Sequence, residues 1–165
     1  MPEEGSLVVV NATPIISLSL AGHLDLLRHL YQEVLIPPAV RAEVLAGGRT
    51  GRGVEELKAA DWVRTVPLQD PRRADLLSDL HRGEAEVIAL AQEIGASLVI
   101  LDERLARRHA LRLGLTITGT VGVFLKAKEK GLVPRIEPLI ERILNHGIHL
   151  SPDLVHRALR LAGER

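Results

Sequence analysis

The chain has no cysteine, so disulfides, thiolate metal sites and cysteine nucleophiles are excluded. Aromatic residues make up only 2% of it, leaving few rings on which nucleic-acid bases could stack. Neither sign of charge is in excess, since Lys plus Arg and Asp plus Glu both number 21. Overall charge therefore gives nucleic-acid binding no support, and such a role has to rest on a local patch. No apolar run approaches the roughly 18 residues that cross a bilayer. The opening MPEEGS is acidic and lacks the basic and apolar regions of a signal peptide, so a cytoplasmic location is the simplest expectation. The seven histidines are scattered with no HxxxH pair, and none is assigned to zinc.

What the chain does have is aliphatic bulk. An apolar fraction of 46%, carried by Leu, Val, Ile and Ala, lets 165 residues bury a core without staples, as one domain over 1–165. The segment from Gly83 to Glu103, GEAEVIALAQEIGASLVILDE, organises the rest. Val87, Ile88, Ala91 and Ile94 fall at helical spacing. Gly95 stands where a helix turns left-handed to end, and Leu98 to Leu101 reads as a strand covered on both faces. Asp102 follows it directly.

The same alternation runs along the chain. Strands are expected at Leu7 to Val10, Glu33 to Ile36, Trp62 to Val66 and Leu115 to Thr118. Helices are expected at Ile15 to Ala21, around Leu24, Leu27 and Leu30, and after Pro37-Pro38 until Gly47-Gly48. Further helices are expected at Val54 to Ala60, Pro71 to Leu80, Arg104 to Leu113 and Thr120 to Lys130. Arg49 to Gly53 reads as a flexible basic loop. Thr13 is a credible N-cap before Pro14, and Ser151 one before Pro152. Strands alternating with helices predict an α/β fold with a mainly parallel central sheet covered on both sides. The core spans about 7–131, and the C-terminal helices at 134–162 either pack on it or form a dimer arm.

Four positions gather at expected strand and helix ends. Asn11 closes the first strand, Glu43 lies in the helix after Pro37-Pro38, Glu84 opens the central helix, and Asp102 closes the central strand. In open α/β sheets ligands bind outside the carboxyl ends of the strands, where the chain order reverses. Acids brought together there repel one another unless a cation joins them. Mg²⁺ or Mn²⁺, hard ions that take oxygen ligands, are the natural partners. The plainer reading makes Glu84 a helix-start acid, Asp102 a cap for the next helix, and Glu43 a solvated helix acid.

The stretches VVVNATPII, VLIPPAVRAEVLAG, GEAEVIALAQEIGASLVILDE and GLTITGTVGVFLKAKEKG closely resemble a PIN-domain-like subfamily of prokaryotic proteins related to the VapC-type toxins. The likeness runs from about Leu7 into the C-terminal helices. Its most specific parts are the GEAE-to-LDE and TGT-x-G blocks. It implies a three-layer α/β/α nuclease that cleaves RNA with Mg²⁺ or Mn²⁺ held by three or four acids. Glu43, Glu84 and Asp102 match acids of that set, and Asn11 stands where the family usually has its first aspartate. An amide offers a metal one neutral oxygen and cannot serve as a base, which sets this chain apart.

The implied chemistry is phosphodiester hydrolysis by metal-activated water. Glu43, Glu84, Asp102 and Asn11 would carry it. Thr13 would help to position the metal or its water, and Thr118 or Thr120 would hydrogen-bond a ligand water or phosphate, although a hydroxyl before a helix is more often a cap. Glu86 and Glu103 read as solvent-facing or supporting neighbours. Arg104, Arg108 and Arg112 share one helix face that could guide a phosphate backbone, or could be an ordinary solvated face. A homodimer and a small antitoxin partner are the further expectations. The rivals are a PIN scaffold that Asn11 has disabled, left to bind RNA or a partner, and a receiver-like regulatory domain. The latter is disfavoured because no paired-acid turn follows the first strand.

Overall fold

Five short aliphatic runs build the sheet of the computed structural model, which describes residues 6–47 and 51–165. The acidic start, Gly48 and the first two residues of the expected basic loop lie outside the described residues. The strands are β1 (Val8–Val10), β2 (Val34–Ile36), β3 (Val63–Thr65), β4 (Leu98–Ile100) and β5 (Ile117–Thr118). All pair in parallel, in the order β3-β2-β1-β4-β5. Every strand-to-strand connection carries helix, which is what parallel pairing demands. The central runs VVV and VLI are buried throughout, as in a sheet covered on both faces. The order differs from the 2-1-3-4-5 of receiver-like domains.

The chain runs outward from β1 to β2 and β3, then crosses back to place β4 on the other side of β1. The order therefore reverses between β1 and β4. Their register pairs Val10 with Ile100, so the residues that follow both strands leave the sheet side by side. Three helices frame that edge: α1 (Ala12–Leu20) leaving β1, α3 (Pro38–Leu45) leaving β2, and α6 (Arg82–Ile94) leading into β4. Helix α6 packs against α3 and ends, as its sequence predicts, on Gly95 in the left-handed conformation at φ 65°.

The shorter helices are α2 (Leu26–Tyr31), α4 (Val54–Ala59) and α5 (Arg72–Asp75), and α7 (Arg104–Arg112) and α8 (Thr120–Glu129) flank β5. The helix expected over Pro71 to Leu80 shrinks to the single turn of α5. Only Ala74 of that segment is buried, and Leu76 is 85% exposed. A stripe that thin cannot supply the packing on which short helices depend.

The last two helices, α9 (Glu137–Asn145) and α10 (Pro152–Leu161), lie on the domain. They bury Leu139, Ile140, Ile143, Ala158 and Leu159. Ser151 caps α10, its hydroxyl accepting from the Leu154 N–H at 3.2 Å. Glu164 folds back to accept the N–H groups of Ile136 (2.8 Å) and Glu137 (3.0 Å) and meets the Lys128 ammonium at 3.1 Å. Burial alone would raise its pKa, but those two N–H donors and Lys128 lower it on balance.

Candidate functional site

Asn11 is the first residue beyond β1, and its N–H donates to the Ile100 carbonyl at 3.0 Å. It is only 3% exposed, and among the described residues its Oδ1 has no hydrogen-bond partner. It occupies the N-cap position of α1 without making a side-chain cap bond. The helix therefore starts at Ala12, and the cap expected of Thr13 does not form because Thr13 already lies inside the first turn. A buried acceptor left bare costs roughly 1–3 kcal/mol. Its orientation is thus an unspent capacity to bind something.

What Oδ1 faces is set by a glycine. A Cβ placed on Gly83 would stand 2.9 Å from Glu43 Oε1 and 3.9 Å from Asn11 Oδ1. Helix α3 delivers Glu43 to this point, started by Pro38 and tied to α6 by Glu86. The Glu86 carboxylate accepts the Ala39 N–H at 3.2 Å and pairs with Arg82 at 2.9 Å. Glu84 comes next after the glycine and is 7% exposed. Its Oε1 accepts the His81 N–H at 3.2 Å, so the helix-start reading is also correct. Burial raises its pKa most; the His81 N–H opposes this, and the charges of Glu103 and Glu43 add to the rise.

Asp102 stands differently. Its Oδ1 accepts the Thr120 N–H at 2.8 Å and its Oδ2 accepts the Thr120 hydroxyl at 2.7 Å. It thus caps a helix, but α8 rather than the next one, α7, which the sequence suggested. Thr120 is buried, and removing Asp102 would leave two donors bare at about 1–3 kcal/mol each. Beside this pair, Arg107 turns back so that Nη1 donates to the Leu101 carbonyl at 2.8 Å. A Cβ on Gly119 would fall 2.6 Å from Asp102 Oδ1 and 3.1 Å from that Nη1. Thr118 packs its hydroxyl onto Gly122, where a Cβ would overlap it at 2.1 Å. The TGT-x-G block is thereby explained residue by residue: two hydroxyls and the two gaps that admit their neighbours.

The structure thus gathers Asn11, Glu43 and Glu84 around Gly83, and Asp102 and Thr120 around Gly119. Among the described residues, no three Asp, Glu or His side chains stand close enough, as they lie, to enclose an ion. The donors nonetheless suit a hard cation: a buried amide oxygen without a partner, a buried carboxylate, and an exposed one free to swing. Arg104, Arg108 and Arg112 are exposed along α7, one turn apart. His109 of the same helix is fastened to Asp79 at 2.9 Å.

A family model described as a PIN domain, DUF3368, matches residues 7–164. The chain belongs to the PIN-domain family. This agrees with the five-stranded parallel sheet flanked by helices. PIN domains have a nuclease-type fold and generally depend on divalent metal ions. No curated protein matches the chain. Among the described residues, no helix is long and apolar enough to cross a membrane.

The candidate site also involves residues that sequence reasoning passed over. Gly83 and Gly119 have ordinary negative φ, so neither is a glycine for its backbone conformation; each marks a close approach. Both sit inside the two blocks most specific to the family, and that was the available signal. Arg107 reads in sequence as one more member of a basic helix and gives no hint that it turns inward.

Proposed function

We propose that this PIN domain is a metal-dependent ribonuclease that hydrolyses RNA phosphodiester bonds at the edge between β1 and β4. The reading is carried by Asn11 Oδ1, a buried oxygen without a partner among the described residues, facing Glu43 across Gly83 beside the buried Glu84. Asn11, Glu43 and Glu84 would hold Mg²⁺ or Mn²⁺, with Asp102, just beyond the end of β4, completing the set. The bound ion would lower the pKa of a water and offset the charge developing on phosphate. Glu43 and Glu84 supply the negative charge that Asn11 lacks. Asp102, through Thr120, sets the start of α8 on the far side of the edge. Arg104, Arg108 and Arg112 offer an exposed cationic row for the RNA backbone. RNA as substrate, a cytoplasmic setting, a small antitoxin as partner and a homodimer are part of this proposal, and rest on the resemblance of the sequence blocks to a PIN-like subfamily related to the VapC-type toxins.

The test is incubation of single-stranded RNA with the protein and Mn²⁺. Cleavage is expected from the wild type and not from Glu84→Gln, which keeps an acceptor for the His81 N–H while removing the charge. A second reading follows from Asn11, because a neutral amide weakens any cation site. In that case the wild type only binds RNA or a partner, and cleavage emerges in Asn11→Asp. Absence of cleavage from both proteins would refute the nuclease reading.

A further inference from the structure

One arginine of α7 stands apart from the others. Arg104, Arg108 and Arg112 are exposed, whereas Arg107 is half-buried and turned toward the end of β4, its Nη1 donating to the Leu101 carbonyl at 2.8 Å. Gly119 marks where the guanidinium stands. A Cβ there would lie 3.1 Å from that Nη1 and 2.6 Å from Asp102 Oδ1, so the two charges flank one small gap. Yet among the described residues no ion pair joins Arg107 to Asp102 or to any other carboxylate. Of the several N–H donors on a guanidinium, only the one on Leu101 finds a protein acceptor among the described residues. A half-buried cation so placed calls for an anion. If Asp102 helps to hold a divalent cation, that ion and the guanidinium repel each other unless an anion bridges them. A tetrahedral phosphate does this, with one non-bridging oxygen for each.

We propose that Arg107 is a catalytic residue that donates to the non-bridging oxygens of the scissile RNA phosphate. This rests on the metal-dependent ribonuclease reading above and names the side chain that meets its substrate's reacting group. In the hydrolysis a water oxygen bonds to phosphorus as the bond to the leaving sugar oxygen breaks. The water gives up a proton and the leaving oxygen gains one. Arg107 keeps its own proton throughout and offsets the negative charge that grows on the phosphoryl oxygens. The Leu101 carbonyl holds the guanidinium in place beforehand. The exposed row of Arg104, Arg108 and Arg112 keeps the separate task of gathering the RNA backbone.

Three measurements on the full chain test this: Mn²⁺ affinity from the paramagnetic resonance of the free ion, inorganic phosphate binding to the Mg²⁺-loaded protein by calorimetry, and RNA cleavage. In Arg107→Gln, Mn²⁺ affinity is expected to stay unchanged or tighten, because a neighbouring positive charge is gone. Phosphate should bind about tenfold more weakly, and kcat should fall about a hundredfold. Phosphate affinity and kcat both kept in Arg107→Gln overturn the proposal. So does a loss of Mn²⁺ affinity alongside them, which would make Arg107 only a positioning residue for Asp102. Should Arg107→Gln not fold, Arg107→Lys decides, since it retains a charge and a donor for Leu101 but not the planar fork. Full phosphate affinity there overturns the proposal, and a loss with Mn²⁺ affinity kept supports it. A wild type that binds no Mn²⁺ rejects the metal-dependent reading and this proposal together. Mn²⁺ binding with phosphate affinity untouched by either variant rejects Arg107 alone.

Discussion

Gly83→Ala pits stability against function. Position 83 is the second residue of α6 and has a negative φ, so alanine fits the backbone. Alanine is favoured over glycine in a helix by up to about 1 kcal/mol, and it also narrows the unfolded ensemble. The added methyl would meet Glu43 Oε1 at 2.9 Å, Val40 Cγ2 at 3.8 Å and Asn11 Oδ1 at 3.9 Å. The first of these is too close, but it is the tip of an exposed, flexible side chain that can retreat by a few tenths of an ångström. The other two are ordinary contacts. Folding should therefore be unharmed, with a melting temperature equal to the wild type or higher by roughly 2–4 °C. The site should suffer, because the methyl stands between the two oxygens that would share an ion. Misplacement of a group by about 1 Å can cost 10²-fold in rate. Calorimetry paired with Mn²⁺ titration and RNA cleavage reads both effects. Unchanged affinity and cleavage would refute the claim that Gly83 keeps a gap for the ion, and a fall of several degrees would refute the account of the helix.

Gly119→Ala should do the reverse, since its Cβ would press on Asp102 Oδ1 at 2.6 Å and Arg107 Nη1 at 3.1 Å. Loss of the α8 cap costs about 0.5–2 kcal/mol, which thermal melting will show. Glu164→Gln should lower the melting temperature by weakening the Lys128 ion pair and the acceptors for Ile136 and Glu137. Because the folded pKa of Glu164 is lowered, its stabilisation is present above the ordinary value of 4.5 and is lost as pH falls from there through the folded value. Melts across that range should slope less in the variant. Glu84 has the opposite sign: with a raised folded pKa, its contribution is fully present below 4.5 and is lost as pH rises through the folded value. Glu84→Gln in the absence of metal should therefore melt no lower than the wild type near neutral pH, and a marked drop would contradict this.

The elements were legible because each depends on its own residues. Aliphatic runs of three or four residues flanked by helical periodicity specify parallel strands, and Gly95 and Ser151 end or start their helices as their chemistry requires. Pro71 to Leu80 misled because its periodicity is real, while the surface it would need to bury against is missing. No local pattern reports what a segment will pack on.

The site was legible only in part, for the same reason. Asn11 and Glu84 are placed by the ends of their own elements, and sequence suffices for them. The role of Asp102 is decided 18 residues away, by the register that sets Ile100 beside Thr118 and delivers Thr120 to its carboxylate. A carboxylate beyond a central strand has several possible partners: a cation, the helix that follows it, or a helix on the neighbouring strand. Here the last of these engages both oxygens, and each keeps a lone pair that a cation could still use. Helix α8 has no cap of its own, because the residue before Thr120 is Gly119, which has no side chain to accept its N–H groups. Asp102 supplies that acceptor from across the sheet, and Gly119 is small so that it can. The glycine that leaves the helix without a cap of its own also admits the one it takes from β4, so neither residue can be interpreted without the other.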